Sequence, residues 1–118
     1  MTSAVSLVDE SASLFPAAYL FRALADPTRL AILRHLALGE HKVVELTAHL
    51  GLAQSTVSGH LACLRDCGLV ESRPEGRASV FSLAARPELG DLLGAADHLL
   101  TATGARAALC PLNTEQTA

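Results

Sequence analysis

Val57, Leu61 and Leu64 recur at i, i+4 and i+7, the spacing that lines three large apolar groups on one face of a helix. The stripe stops at Gly68, which can take the left-handed conformation that closes a helix. Upstream, Val43, Val44, Leu46 and Leu50 predict a shorter helix, and Gly51 supplies the break between the two. Downstream, residues 69–74 and 78–83 are short extended runs joined by Glu75-Gly76-Arg77, a turn with glycine at its tip.

A short helix, a glycine turn, a second helix and then a hairpin is the pattern of a winged helix-turn-helix. The remaining elements support it. A helix is predicted from Pro16, with Tyr19, Leu20, Phe21 and Leu24 as its apolar positions. Asp26-Pro27 reads as an N-cap followed by proline at the first helical position, and Leu30, Ile32, Leu33 and Leu36 carry that helix to Gly39. A last helix starts at Pro87, with Leu89, Leu92, Leu93, Ala96, Leu99 and Leu100 on a wide apolar face. One small domain has little core left to cover such a face, so it predicts packing against a second copy, with the first helix sharing the contact. The expected class is mainly α with a small β-hairpin, a winged helix-turn-helix homodimer. Residues 1–14 are expected to form a flexible arm or the frayed start of a helix, 15–103 the dimerising domain, and 104–118 an irregular tail broken by Gly104 and Pro111.

Composition narrows this in two ways. Half of the 118 residues are hydrophobic but only 3% are aromatic, so the core must be built from Leu, Ala and Val, which favours helices. No apolar run is long enough to span a bilayer, and Asp9 and Glu10 precede the first basic residue, Arg22, which does not suit a secretory signal. A cytoplasmic protein is expected. The net charge of −3 is awkward for a DNA binder. Even residues 54–83 balance Arg65, Arg73 and Arg77 against Asp66, Glu71 and Glu75, so either affinity comes from geometry and from doubled contacts in a dimer, or the chain is not a DNA binder.

Gln54, Ser55, Thr56 and Ser58 open the second helix of the motif with small polar groups, suited to phosphates and base edges. His60 follows on the same element as a DNA contact, a packing residue or a metal ligand, and Arg73 and Arg77 sit on the wing where they can touch the DNA backbone. Ala53 stands where a capping serine would suit the helix start, which predicts a shifted start or a cap passed to Ser55.

Cys63 and Cys67 are four residues apart in the predicted helix, with side chains about 5–6 Å apart at Cβ. They share a stripe with Thr56 and His60, away from the core stripe. Cys110 in the tail is the third cysteine. An odd count argues against a disulfide framework and for reduced thiols. Two neighbouring thiolates can share a soft metal ion, Cys110 can add a third sulfur, and the soft ions include cadmium, lead, mercury, monovalent copper and zinc. The alternatives are burial as small hydrophobes and a thiol redox switch, although i and i+4 positions need distortion to form a disulfide.

FRALADPTRLAILRHL followed by LTAHLGLAQSTVSGHLACLRDCGLVESRPEGRASVFSL resembles the ArsR/SmtB family of metal-responsive repressors over roughly residues 15–100. ADPTRL, STVSGHL, LRDCGLV and the EGR wing turn carry the likeness. It implies a two-fold dimer whose recognition helices meet successive half-sites of double-stranded operator DNA. The CLRDC pair with a tail cysteine is similar to the CmtR-type branch that senses cadmium and lead, which implies Cys63, Cys67 and Cys110 as ligands, with cadmium or lead as inducer and mercury as the alternative. Two other family sites are not matched. Lys42 and Val44 stand where arsenic and antimony sensors carry cysteines; Ala85, Pro87 and Thr101 stand at three zinc-ligand positions of the last helix, leaving His98 alone as a surface or interface residue.

The outcome expected is a repressor that binds its operator in the metal-free state and releases it when a soft ion arrives, or else a redox-responsive repressor on the same fold. An enzyme is not expected, because neither a phosphate-binding glycine loop nor a nucleophile-base pairing is present, and no organic cofactor is implied. His35, His41 and His49 are expected to be solvated.

Overall fold

The computed structural model describes residues 7–104. Helix α1 spans Leu7–Leu24, α2 Pro27–Ala37, α3 Val43–Leu50, α4 Gln54–Asp66 and α5 Arg86–Ala102. Three strands complete it: β1 His41–Lys42, β2 Val70–Glu75 and β3 Ala78–Leu83. They form an antiparallel sheet in the order β1-β3-β2, with Val70 opposite Leu83 and Glu75 opposite Ala78 in the wing.

The first helix differs from the expectation. It begins at Leu7 rather than Pro16, so most of the predicted 1–14 arm is helical and Pro16 lies inside the element. Proline leaves the carbonyl four residues back without its usual donor, but Asp9 and Glu10 sit in the first turn, where carboxylates offset the helix dipole. Good helix formers around Leu14 then carry the helix through. Leu14, Phe15, Tyr19 and Phe21 all remain exposed, with the Phe15 and Tyr19 rings in edge contact at 6.1 Å.

Asp26 caps α2 as predicted: its Oδ1 accepts from the Thr28 and Arg29 backbone N–H groups at 2.8 and 3.1 Å. At the other end, the Arg86 guanidinium donates to the Ala37 and Leu36 carbonyls, which bolts the start of α5 onto the end of α2. Gly51, at φ +67°, closes α3. Leu61, Leu64 and Val57 are fully buried with Ile32, Leu33, Leu36 and Leu46, each such side chain contributing about 1.5–3 kcal/mol by burial. The short strand β1 had no signal of its own in the chain. Its two residues pair with Phe81 and Val80, and Pro74 is tolerated because β2 lies at the sheet edge.

On α5 the predicted apolar face is split. Leu89 and Leu93 complete the core, Leu92, Ala96 and Leu100 are half-buried, and Leu99 is 64% exposed. Asp97 is buried on the same helix. Among the described residues no helix is long and apolar enough to cross a membrane.

Candidate nucleic-acid interface and thiol pair

Helix α4 presents two different surfaces. Val57, Leu61 and Leu64 anchor it, leaving Gln54, Ser55, Thr56 and Ser58 exposed at its N-terminal end. Ala53 is the N-cap without any side-chain bond, so the start is neither shifted nor capped by Ser55. The first-turn N–H groups therefore have no side-chain cap, the condition under which a helix end takes a phosphate oxygen.

The C-terminal end is closed tightly. Leu69 N–H donates to the Leu64 carbonyl at 3.0 Å and Gly68 N–H to the Arg65 carbonyl at 2.9 Å, with Gly68 at φ +77°. This paired closure makes Cys67 the C-cap of the helix and fixes its direction relative to Cys63. Both thiols are free and half-buried. They are neighbours that influence each other electrostatically. Burial pushes the Cys67 thiol up first, helped by Cys63 and Asp66, while Arg29 opposes the shift. At neutral pH Cys67 is thus a thiol that must lose a proton to bind a metal. Two adjacent sulfurs, partly accessible and soft, suit two positions in the coordination sphere of a thiophilic cation. Among the described residues no group of three or more His, Cys, Asp or Glu side chains is disposed to hold a metal ion. Cys110 lies outside the described residues.

His60 is half-buried and meets α2. Its Nδ1 lies 3.2 Å from the Arg29 guanidinium; arginine can only donate, so this nitrogen is the acceptor and the ring proton sits on Nε2. Arg29 was inside the ADPTRL motif but carried no spacing signal that would assign it a partner on α4.

The wing places its two arginines differently. Arg77 is exposed at the two-residue turn between β2 and β3. Arg73 is half exposed and held by two carboxylates, Glu40 ahead of β1 and Glu75 at 3.3 Å on its own strand. Lys42 joins them through Glu75 at 3.6 Å. Four charges thus form one network along the wing, and of its two arginines Arg77 has no ion-pair partner among the described residues.

The three histidines expected in solvent come together instead. His35 stacks on His49 at 5.1 Å between ring centroids, and His41 meets both edge-on at 6.2 and 5.5 Å. His49 remains exposed while His35 and His41 are half-buried. Their elements, α2, β1 and α3, meet only in the folded chain. Burial, then His49 and His41, then Arg34 lower the His35 pKa from its usual value. His98 is exposed on α5.

Residues 26–72 match the family model for "Bacterial regulatory protein, arsR family". The chain is similar to the transcriptional regulator CmtR of Mycobacterium tuberculosis, with 55% identity over 67 residues, or 57% of each chain. It is similar also to the "Probable mercury resistance operon repressor" of Streptomyces lividans, with 45% identity over 76 residues, 64% of this chain and 60% of that one. Both matches span less than two thirds of the relative's length. The solution structure of the CmtR cadmium sensor has a TM-score of 0.54 at 51% identity, over 64% of this chain and 82% of that one. A homodimeric winged helix-turn-helix DNA-binding domain from Mycobacterium bovis gives a TM-score of 0.66 at 33% identity, over 84% of this chain and 95% of that one. A further HTH-type transcriptional regulator of Mycobacterium tuberculosis is 38% identical over 84 residues, 70% of this chain and 73% of that one; its crystal structure gives a TM-score of 0.68 over 75% and 88%. With the core helices, the wing and the ADPTRL cap all in place and relatives covered over most of their length, this chain belongs to the ArsR family of bacterial regulatory proteins.

Proposed function

We propose that the protein is a transcriptional repressor that grips operator DNA as a metal-free homodimer and lets go when a thiophilic cation, cadmium or lead, occupies its cysteines. The observation that carries this reading is the pair of neighbouring thiols on the same helix that exposes Gln54, Ser55, Thr56 and Ser58. Those four side chains face the major groove, with Arg77 and Arg73 on the flanking phosphates. His60 stands behind them, against Arg29.

The homodimer is supported by the exposed Leu14, Phe15, Tyr19, Phe21 and Leu99, apolar groups on the two terminal helices, and by the Mycobacterium bovis domain. Cys110, on the tail segment 104–118, supplies the third sulfur. Cys63, Cys67 and Cys110 would hold the cation, which would supply positive charge to their thiolates. Cys63 and Cys67 lose their protons to meet it, and α4 shifts relative to the half-site spacing. A coupling of about 1–3 kcal/mol already changes DNA affinity roughly 5- to 150-fold. The likeness to the mercury repressor favours mercury as the second candidate. Two sulfurs suffice for it, so loss of Cys110 would matter less.

A metal competition series decides between these. Thiolate-to-metal absorption and operator binding are followed for the wild type and for Cys63→Ser, Cys67→Ser and Cys110→Ser. The Cys63 and Cys67 variants should bind operator but stop responding to cadmium or lead. Full inducibility in both would remove the proposal.

A further inference from the structure

Helix α4 is held by two kinds of contact that constrain it differently. Val57, Leu61 and Leu64 seat it in the core, but apolar burial is non-directional. It decides which face turns inward and leaves the rotation of the helix about its own axis loosely set. A directional contact comes from α2, where Arg29 Nη1 lies 3.2 Å from His60 Nδ1. At about 100° per residue, His60 falls roughly 60° from Val57 on one flank of the buried stripe, with Gln54 and Ser58 on the other. The donor is itself fixed. Arg29 Nε donates to the Ala23 carbonyl at 2.6 Å and Nη2 to the Arg22 carbonyl at 3.1 Å, both in the last turn of α1. The Asp26 carboxylate that caps α2 lies 3.9 Å from Nη1, and the Arg29 side chain is only 16% exposed. A planar fork gripped along its other edge cannot follow α4 if the helix turns, so the bond holds only at one rotation.

We propose that Arg29 and His60 are positioning residues for DNA recognition: the bond between them sets the rotation of α4, and so the angle at which Gln54, Ser55, Thr56 and Ser58 enter the major groove. The inference rests on the operator-binding part of the function proposed above. Hydrogen bonds to base edges weaken steeply when donor and acceptor are misaligned, whereas phosphate contacts hold the protein on the duplex without reading sequence. A helix freed to turn therefore loses discrimination before it loses its hold on DNA. The bond is charge-assisted and mostly shielded from water, which makes it stronger than one between neutral groups. His60 acts through its Nδ1 acceptor, facing α2, and makes no contact with the bases itself.

Arg29 also holds the end of α1, so replacing it risks the fold; the deciding variants are at His60. Asparagine carries an amide oxygen where Nδ1 stands, glutamine carries an amide nitrogen near the place of Nε2, and leucine carries neither. The probes are a duplex that the wild-type protein selects from a randomised library and a random-sequence duplex of equal length, both used without metal. His60→Leu should bind the selected duplex about tenfold or more weakly, the scale of one lost bond to a charged group. Its binding to the random duplex should change by less than about twofold, because that hold is made to phosphates. His60→Asn should recover most of the loss and His60→Gln little of it. A His60→Leu protein that binds the selected duplex like the wild type overturns the proposal, and so does one that loses both duplexes alike. If His60→Gln matches or exceeds His60→Asn, the ring meets DNA through Nε2 and the positioning role is overturned; an His60→Asn protein no better than His60→Leu overturns it too. A wild type that selects no duplex from the library overturns the repressor reading itself, and the positioning role with it.

Discussion

The Arg73 guanidinium is bound by the Glu40 carboxylate across 33 positions of sequence, which pins the wing to the segment entering β1. Half exposed as it is, the pair adds little stability, but Glu40 competes with a phosphate for this cation. Glu40→Gln should therefore raise operator affinity a few-fold and steepen the salt dependence by about one counterion, whereas Arg77→Ala should flatten it by about the same amount. Fluorescence anisotropy across a salt series reads both slopes. Identical slopes in all three proteins would exclude the wing from the contact.

Cys67 is held as a thiol by burial first and by Cys63 next. Its proton must leave on coordination, so cadmium affinity should climb with pH, about tenfold per unit for each proton released, until the thiols ionise unaided. Titrations at pH 6, 7 and 8 test this. A flat profile would mean that the thiols are already ionised.

The His35 pKa is lowered by burial and by the facing His49, His41 and Arg34. A histidine depressed in the folded state binds its proton more readily when unfolded. Stability is therefore whole above the ordinary value of 6.5 and falls as pH drops below it. Melting temperature should decline from pH 7.5 to 5.5, and His35→Gln should make the curve flatter. If the variant and the parent lose stability in parallel over that range, the cluster is not the cause.

Gly68 sits at φ +77° with open space around its Cα. Gly68→Ala should cost about 1–2 kcal/mol from backbone strain alone, read as a lower urea midpoint at unchanged slope. It should also weaken cadmium binding, because this closure orients Cys67. Asp26→Ala, which removes the cap of α2, should cost a similar amount, about 0.5–2 kcal/mol, without touching cadmium affinity. The contrast separates strain at the thiols from a general loss of stability.

Sequence alone determined what depends on near neighbours. The Val57, Leu61 and Leu64 stripe, the Asp26 cap with Pro27, and the closing Gly51 and Gly68 are set by contacts within a few positions and stand where the spacing puts them, while the wing turn is one residue shorter than read, because Glu75 pairs with Ala78. The pairing of Cys63 with Cys67 was legible for the same reason. Tertiary structure decided the rest. The start of α1 at Leu7 had no periodic stripe to mark it, and Leu14, Phe15, Tyr19 and Phe21 stay exposed. Strand β1 exists only because β3 offers it partners. His60 meets Arg29 from 31 positions away, and His35, His41 and His49 converge from three elements. Such pairings depend on how the helices cross around the buried leucines, a property of the packed core that no local pattern contains.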